Sequence, residues 1–135
     1  MIYLNIGSNL GNREENLLRA IVLLSAGTGG CAVSSIVESD PWGFESGNKF
    51  LNVGVMLRCD MDPFDLLEFT QGIEKQMGSN THRDANGNYV DRLVDIDIIE
   101  IDGVEINTPQ LTVPHPRMHE RDFVMKPLEQ LKGKQ

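Results

Sequence analysis

Asp95 and Asp97 stand two residues apart in "VDIDII" (94–99), a run that is otherwise aliphatic. Such a run reads as a buried strand, and in a strand residues i and i+2 project from one face, roughly 7 Å apart. Two neighbouring ionised carboxylates repel each other and resist burial. A divalent cation with oxygen ligands relieves both penalties, and Mg²⁺ is commonly held by one or two carboxylates together with substrate phosphates. The spacing also suits an edge strand whose polar face meets water. The pair alone leaves both possibilities open.

Four other stretches carry residue types with chemistry in them. "GSNLG" (7–11) could present main-chain N–H groups to a phosphate, but it matches neither a GxGxxG nor a P-loop spacing, and a plain tight turn fits it better. Trp42 and Phe44 are aromatics in a polar loop, and Phe50 and Asn52 share one face of the strand that follows. They form either a small hydrophobic cluster or a slot for a flat ligand, with an amide that can donate and accept at its edge. "VPHPRMHERDF" sets His115, Arg117, His119 and Arg121 within seven residues of an acidic chain. The two histidines lack a third ligand for zinc, which leaves a solvated basic strip or a set of phosphate contacts. His82 and Arg83 lie in a polar loop of fourteen residues (78–91), and Arg92 follows it. Loops of that length without their own structure tend to be functional or disordered. Its length and its Gly, Asn and Ser content lead us to expect a lid over a nucleotide, although a surface loop with ordinary charges has the same composition.

These residues need elements to hold them. Periodicity predicts strands at 2–6, 31–39, 49–58 and 92–101, and a short "VEIN" strand after the Asp102-Gly103 turn. One helix begins at Asn12, with Glu15 three residues later as in a capping box, carries Leu17, Ile21 and Leu24, and ends in "GTGG". A second begins at Asp62-Pro63 with the stripe Leu66, Phe69, Ile73 and Met77, and a third closes the chain. In strand 49–58, Leu51, Val53, Val55 and Leu57 form the core face. The order is β-α-β-β-α-β with an added hairpin strand and C-terminal helix. That is an α+β, ferredoxin-like arrangement, a mainly antiparallel sheet with helices packed on one face.

With 135 residues and 40% hydrophobic content, the chain suits one domain, 1–135, with a single core. A net charge of −8 argues against a nucleic-acid partner. No run has the length of a membrane span, and the N-terminus lacks the features of a signal peptide. Cys31 and Cys59 accompany no CxxC or Cys/His cluster, so buried thiols in a cytoplasmic protein are expected.

Taken in order, "YLNIGSNLGNREENL", "PWGF" with "KFLNVGVML", "QGIEKQMG", "DRLVDIDII" and "LTVPHPRMHERDFVMKPL" resemble the 6-hydroxymethyl-7,8-dihydropterin pyrophosphokinases of folate biosynthesis over nearly the whole chain. The resemblance implies a ferredoxin-like monomer with two Mg²⁺ ions. It would transfer the β,γ-pyrophosphoryl group of ATP to the hydroxymethyl oxygen of the pterin and release AMP. Position by position, it implies Asp95 and Asp97 as Mg²⁺ ligands and Arg92 as a phosphate contact. Asn52 matches the amide that reads the pterin edge. Phe50, where Tyr is frequent, and Phe123 match the aromatics that sandwich the ring, while Ser39 and Trp42 fall where the loop backbone meets it. Gln71, Ile98, Thr112, His115 and Arg121 match nucleotide contacts.

The chain departs from the pattern where the well-known bacterial form has arginines: Ser79, Thr81 and Gln110 occupy those places. Arg83, or else His82, is expected to supply the missing cation, which puts Arg83 beside Arg92, Asp95 and Asp97 in the catalytic set. The alternatives are a family member that binds pterin or nucleotide but transfers slowly, and a ferredoxin-like regulatory module. Against the module stand the paired strand carboxylates and the lack of a second domain to regulate.

Overall fold

The computed structural model describes residues 1–40, 48–78 and 93–133. Strand β1 (Ile2–Ser8) leads into helix α1 (Arg13–Thr28), which starts where Asn12 accepts a hydrogen bond from the Glu15 N–H at 3.1 Å. Two short strands follow, β2 (Cys31–Val33) and β3 (Val37–Ser39), then the long β4 (Phe50–Leu57). Helix α2 (Pro63–Gln76) is capped by the Asp62 carboxylate, which accepts from Phe64 and Asp65. Strand β5 (Asp95–Ile101), a hairpin of β6 (Ile106–Asn107) with β7 (Thr112–Val113), a 3₁₀ turn at Met118–Glu120 and helix α3 (Asp122–Lys132) complete the order. The main sheet is antiparallel throughout, in the order β2-β4-β1-β5, with β3 also on β4. This is the expected α+β architecture. No helix among the described residues is long and apolar enough to cross a membrane.

The alternation in β4 places Leu51, Val53, Val55 and Leu57 in the larger core, under α1 and α2, as predicted. Helices α1 and α2 share that face as expected, and the added C-terminal helix covers the opposite one. Tyr3, Met56 and Ile99 pack against Met118, Val124, Leu128 and Leu131, so α3 closes one end of that face. It approaches so closely that a Cβ on Gly54 would lie 2.8 Å from the Pro127 Cβ and 2.9 Å from the Leu131 Cδ1.

Three predicted strands are shorter or broken. Segment 31–39 is interrupted because Val33 and Val37 are four positions apart while their partners, Val55 and Asn52, are three apart. The extra residue is a bulge. Ser34 bridges it: its N–H donates to the Gly54 carbonyl at 2.9 Å, and its hydroxyl accepts from the Gly54 N–H at 2.8 Å. "VEIN" contributes only Ile106 and Asn107, which pair with β7 rather than extending the sheet. Strand β5 begins at Asp95. Cys31 and Cys59 are free and partly exposed instead of buried.

Candidate active site

The register of the sheet assembles the site. On β1, Gly7 faces Asp95 of β5 on one side and Asn52 of β4 on the other. Asn52 in turn faces Val37, and Phe50 faces Ser39. One row along, Asn5 lies between Asp97 and Gly54. Residues paired in register share a face, so the two carboxylates, Asn52 and Phe50 all project from the side that α3 covers further along. Two strand spacings, roughly 10 Å, separate Asp95 from Asn52. Among the described residues strand β5 is an edge strand, as the alternative reading of the DxD pair required, yet both aspartates are half-buried instead of facing open water.

Gly7 is the floor between them. A Cβ there would sit 3.2 Å from both the Asn52 Oδ1 and the Phe50 Cδ1. The "GSNLG" stretch is a tight turn, tied by Asn16, whose amide donates to the Leu10 carbonyl at 2.9 Å and the Ser8 hydroxyl at 3.3 Å. Its first glycine clears the site.

Asn52 is 3% exposed, and its Nδ2 donates to the Val37 carbonyl at 3.1 Å and to the Ser39 hydroxyl at 2.8 Å. A carbonyl can only accept, so the NH₂ end of the amide must face Val37. Both N–H groups are engaged by the protein, and Oδ1 lies over Gly7. The Ser39 hydroxyl holds the Asn52 amide.

The outer edge of β5 forms a second surface, against which α2 and β7 pack. Glu74, a residue the sequence did not single out, is 1% exposed, and its Oε2 accepts from the Ile96 N–H at 2.7 Å. Ile96 lies between the two aspartates, so α2 grips β5 at their midpoint. The available signal was a carboxylate beside Ile73 on the apolar stripe of α2. Gln71, exposed, is one helical turn before Glu74. The Ile98 side chain is buried in the larger core. Thr112 is half-buried in β7, and the His115 N–H donates to the Ile99 carbonyl at 2.8 Å.

The basic strip divides. Arg117 and His119 are exposed, whereas Arg121 is 5% exposed and lies 5.8 Å from the Phe123 ring centre. Burial, reinforced by Arg121 and opposed by Asp95, lowers the His115 pKa to about 4. Its Nδ1 accepts from the Arg117 N–H at 3.2 Å, so the neutral ring carries its proton on Nε2. A folded value below the ordinary 6.5 means that the unfolded chain takes up this proton first. The stability from neutral His115 is therefore present above pH 6.5 and declines as pH falls toward about 4. A proton NMR titration of the free protein should give a His115 ring midpoint near 4. A midpoint at the ordinary value would rule out this environment.

Trp42, Arg83 and Arg92, with Phe44, Ser79, Thr81 and His82, lie outside the described residues, as does most of the expected lid. Among the described residues no three His, Cys, Asp or Glu side chains gather as a metal site. Two oxygen donors on one face therefore suit a hard cation whose remaining ligands come from substrate and water.

Comparison with known proteins gives a consistent result. Residues 3–133 match the family model described as 7,8-dihydro-6-hydroxymethylpterin-pyrophosphokinase. The chain is 43% identical over 131 residues to a 2-amino-4-hydroxy-6-hydroxymethyldihydropteridine pyrophosphokinase of Porphyromonas gingivalis, covering 95% of this chain and 88% of that one. It is 43% identical over 131 residues to the protein of the same name from Bacillus subtilis, covering 96% and 76%. Folic acid synthesis protein FOL1 of Dictyostelium discoideum is 39% identical over 132 residues, covering 97% of this chain and 19% of that longer protein.

Proposed function

The chain belongs to the 7,8-dihydro-6-hydroxymethylpterin-pyrophosphokinase family, and from that premise we propose that it carries out the family's reaction in folate biosynthesis. The hydroxymethyl oxygen of the dihydropterin loses its proton and forms a bond to the β-phosphorus of ATP. The bond from that phosphorus to the oxygen bridging it to the α-phosphate breaks, and AMP leaves. The observation that supports this reading is the row Asp95–Gly7–Asn52, which puts a carboxylate and an amide on one face with a glycine between them.

Each residue then has a task. Asn52 Oδ1 accepts N–H groups from the pterin edge, with Phe50 on one side of the ring and Phe123 on the other. Gln71 of α2, the Ile98 main chain of β5 and Thr112 of β7 are proposed to contact the adenine nucleotide. Arg121 offers a planar fork of donors to phosphate oxygens, and neutral His115 offers its Nε2–H. Asp95 and Asp97 hold Mg²⁺, for which two ions are proposed; when bound, it neutralises charge on the triphosphate oxygens. Arg83 and Arg92 are proposed as further cations, and Trp42 as a pterin contact. Positioning and charge stabilisation are what pyrophosphoryl transfer asks of the protein.

Phosphorus NMR of the protein with ATP, Mg²⁺ and hydroxymethyl-dihydropterin tests the reading. AMP and a pterin diphosphate are expected, and ADP or unchanged ATP would overturn it. The same experiment separates the active enzyme from a slow binder. Phe123→Ala should weaken pterin binding by about 1–3 kcal/mol, by analogy with base stacking on aromatics, and ATP binding far less. Calorimetry with each ligand separately checks this; equal losses would place the pterin slot elsewhere.

A further inference from the structure

Helix α3 contains an internal proline, Pro127, four residues after Phe123. In an α-helix the N–H at i+4 bonds the carbonyl at i, and proline has no N–H and crowds that carbonyl with its ring. The Phe123 carbonyl therefore lacks its normal helical donor. In its place stands Asn5 of β1, whose Nδ2 donates to the Phe123 oxygen at 3.0 Å. Asn5 is 4% exposed and lies in register between Asp97 and Gly54. Gly54 is the residue against which the Pro127 ring packs, within 2.8 Å of where a Cβ would be. The helix N–H that is missing and the side chain that replaces it thus meet at one point of the sheet.

We infer that Asn5 is a positioning residue for the pterin ring, substituting for the N–H that Pro127 cannot supply and so fixing the peptide of Phe123. Phe123 sits in the first turn of α3, where the backbone is least held by the helix itself. The tether ties it to the strand that also carries Gly7, between Asp95 and Asn52. The ring partner from α3 and Asn52 and Phe50 of β4, which pairs with β1, are thereby held in one frame. A pterin that enters then meets a slot whose two walls are already spaced. This rests on the reading that Phe123 stacks on the pterin.

The test is a double-mutant cycle in the full chain, with pterin and ATP affinities measured separately by calorimetry and folding checked by thermal melting. Asn5→Ala should weaken pterin binding about threefold to tenfold, the range expected for one lost hydrogen bond, and leave ATP affinity within about twofold. Pro127→Ala restores a backbone N–H opposite the Phe123 carbonyl. In that background the Asn5→Ala loss should shrink to less than about twofold, a coupling that a purely structural role would not produce. Unchanged pterin affinity in a folded Asn5→Ala protein, with Phe123→Ala still impaired, would overturn the inference while sparing the pterin slot. The same loss from Asn5→Ala with and without Pro127 would also overturn it. If Phe123→Ala itself leaves pterin binding intact, the assignment of the slot fails instead.

Discussion

Asp95→Ala and Asp97→Ala should each lower Mg²⁺-dependent turnover by about 10²–10³-fold, the usual consequence of removing one group that stabilises charge in the transition state. Both side chains leave the same face of β5, half-buried, Asp95 across Gly7 from Asn52 and Asp97 across Asn5 from Gly54. Removing either leaves one carboxylate to hold cations against a triphosphate. The fold should not suffer, because the hydrophobic contacts of β5 come from Ile96, Ile98 and Ile99. Taking away one of two neighbouring negative charges also relieves repulsion in the metal-free protein, so melting temperature in a chelator should hold or rise. Steady-state kinetics against Mg²⁺ and a melt in chelator make the comparison. Near-normal turnover in both variants would remove these residues from the metal site. A large loss of stability without metal would mean that they act in folding instead.

Much of this site was legible in the sequence because it depends on local periods. The alternation of Leu51, Val53, Val55 and Leu57 gave the face of β4, and that fixed Phe50 and Asn52 on the other side. The i, i+2 spacing gave the common face of the aspartates. Asn12 and Asp62 declared their helix starts through capping, which reaches only two or three residues.

What escaped depends on partners far along the chain. The break at Ser34 needs Gly54 opposite it, twenty residues away. The engaged donors of Asn52 need Val37 and Ser39, and nothing near Asn52 indicates them. Gly7 read as part of a turn because its role appears only when β4 and β5 lie on either side of it. Arg121 and Arg117 look alike in one basic strip, yet packing buries the first and exposes the second.

Glu74→Ala should lower both stability and turnover. The Glu74 carboxylate, 1% exposed, accepts the Ile96 N–H at 2.7 Å from beyond the edge of the sheet. An edge strand alternates inward and outward N–H groups, and an outward one that is buried must find a partner. Deleting the acceptor strands that donor at a cost of about 1–3 kcal/mol, which for a chain of this size lowers the melting temperature by roughly 3–10 °C. Function should fall as well, since Ile96 is the hinge between Asp95 and Asp97 and a loosened peptide there misaligns both. Glu74→Gln separates shape from charge: its amide oxygen can accept from Ile96 in the same place, so much of the stability should return. Hydrogen exchange at the Ile96 amide reads the bond directly, with protection lost in Ala and largely kept in Gln. An Ala variant with unchanged melting and unchanged protection at Ile96 would mean that the N–H is satisfied by other means. If Ala lowers stability while Mg²⁺-dependent turnover is untouched, Glu74 holds the sheet edge without aligning the aspartates.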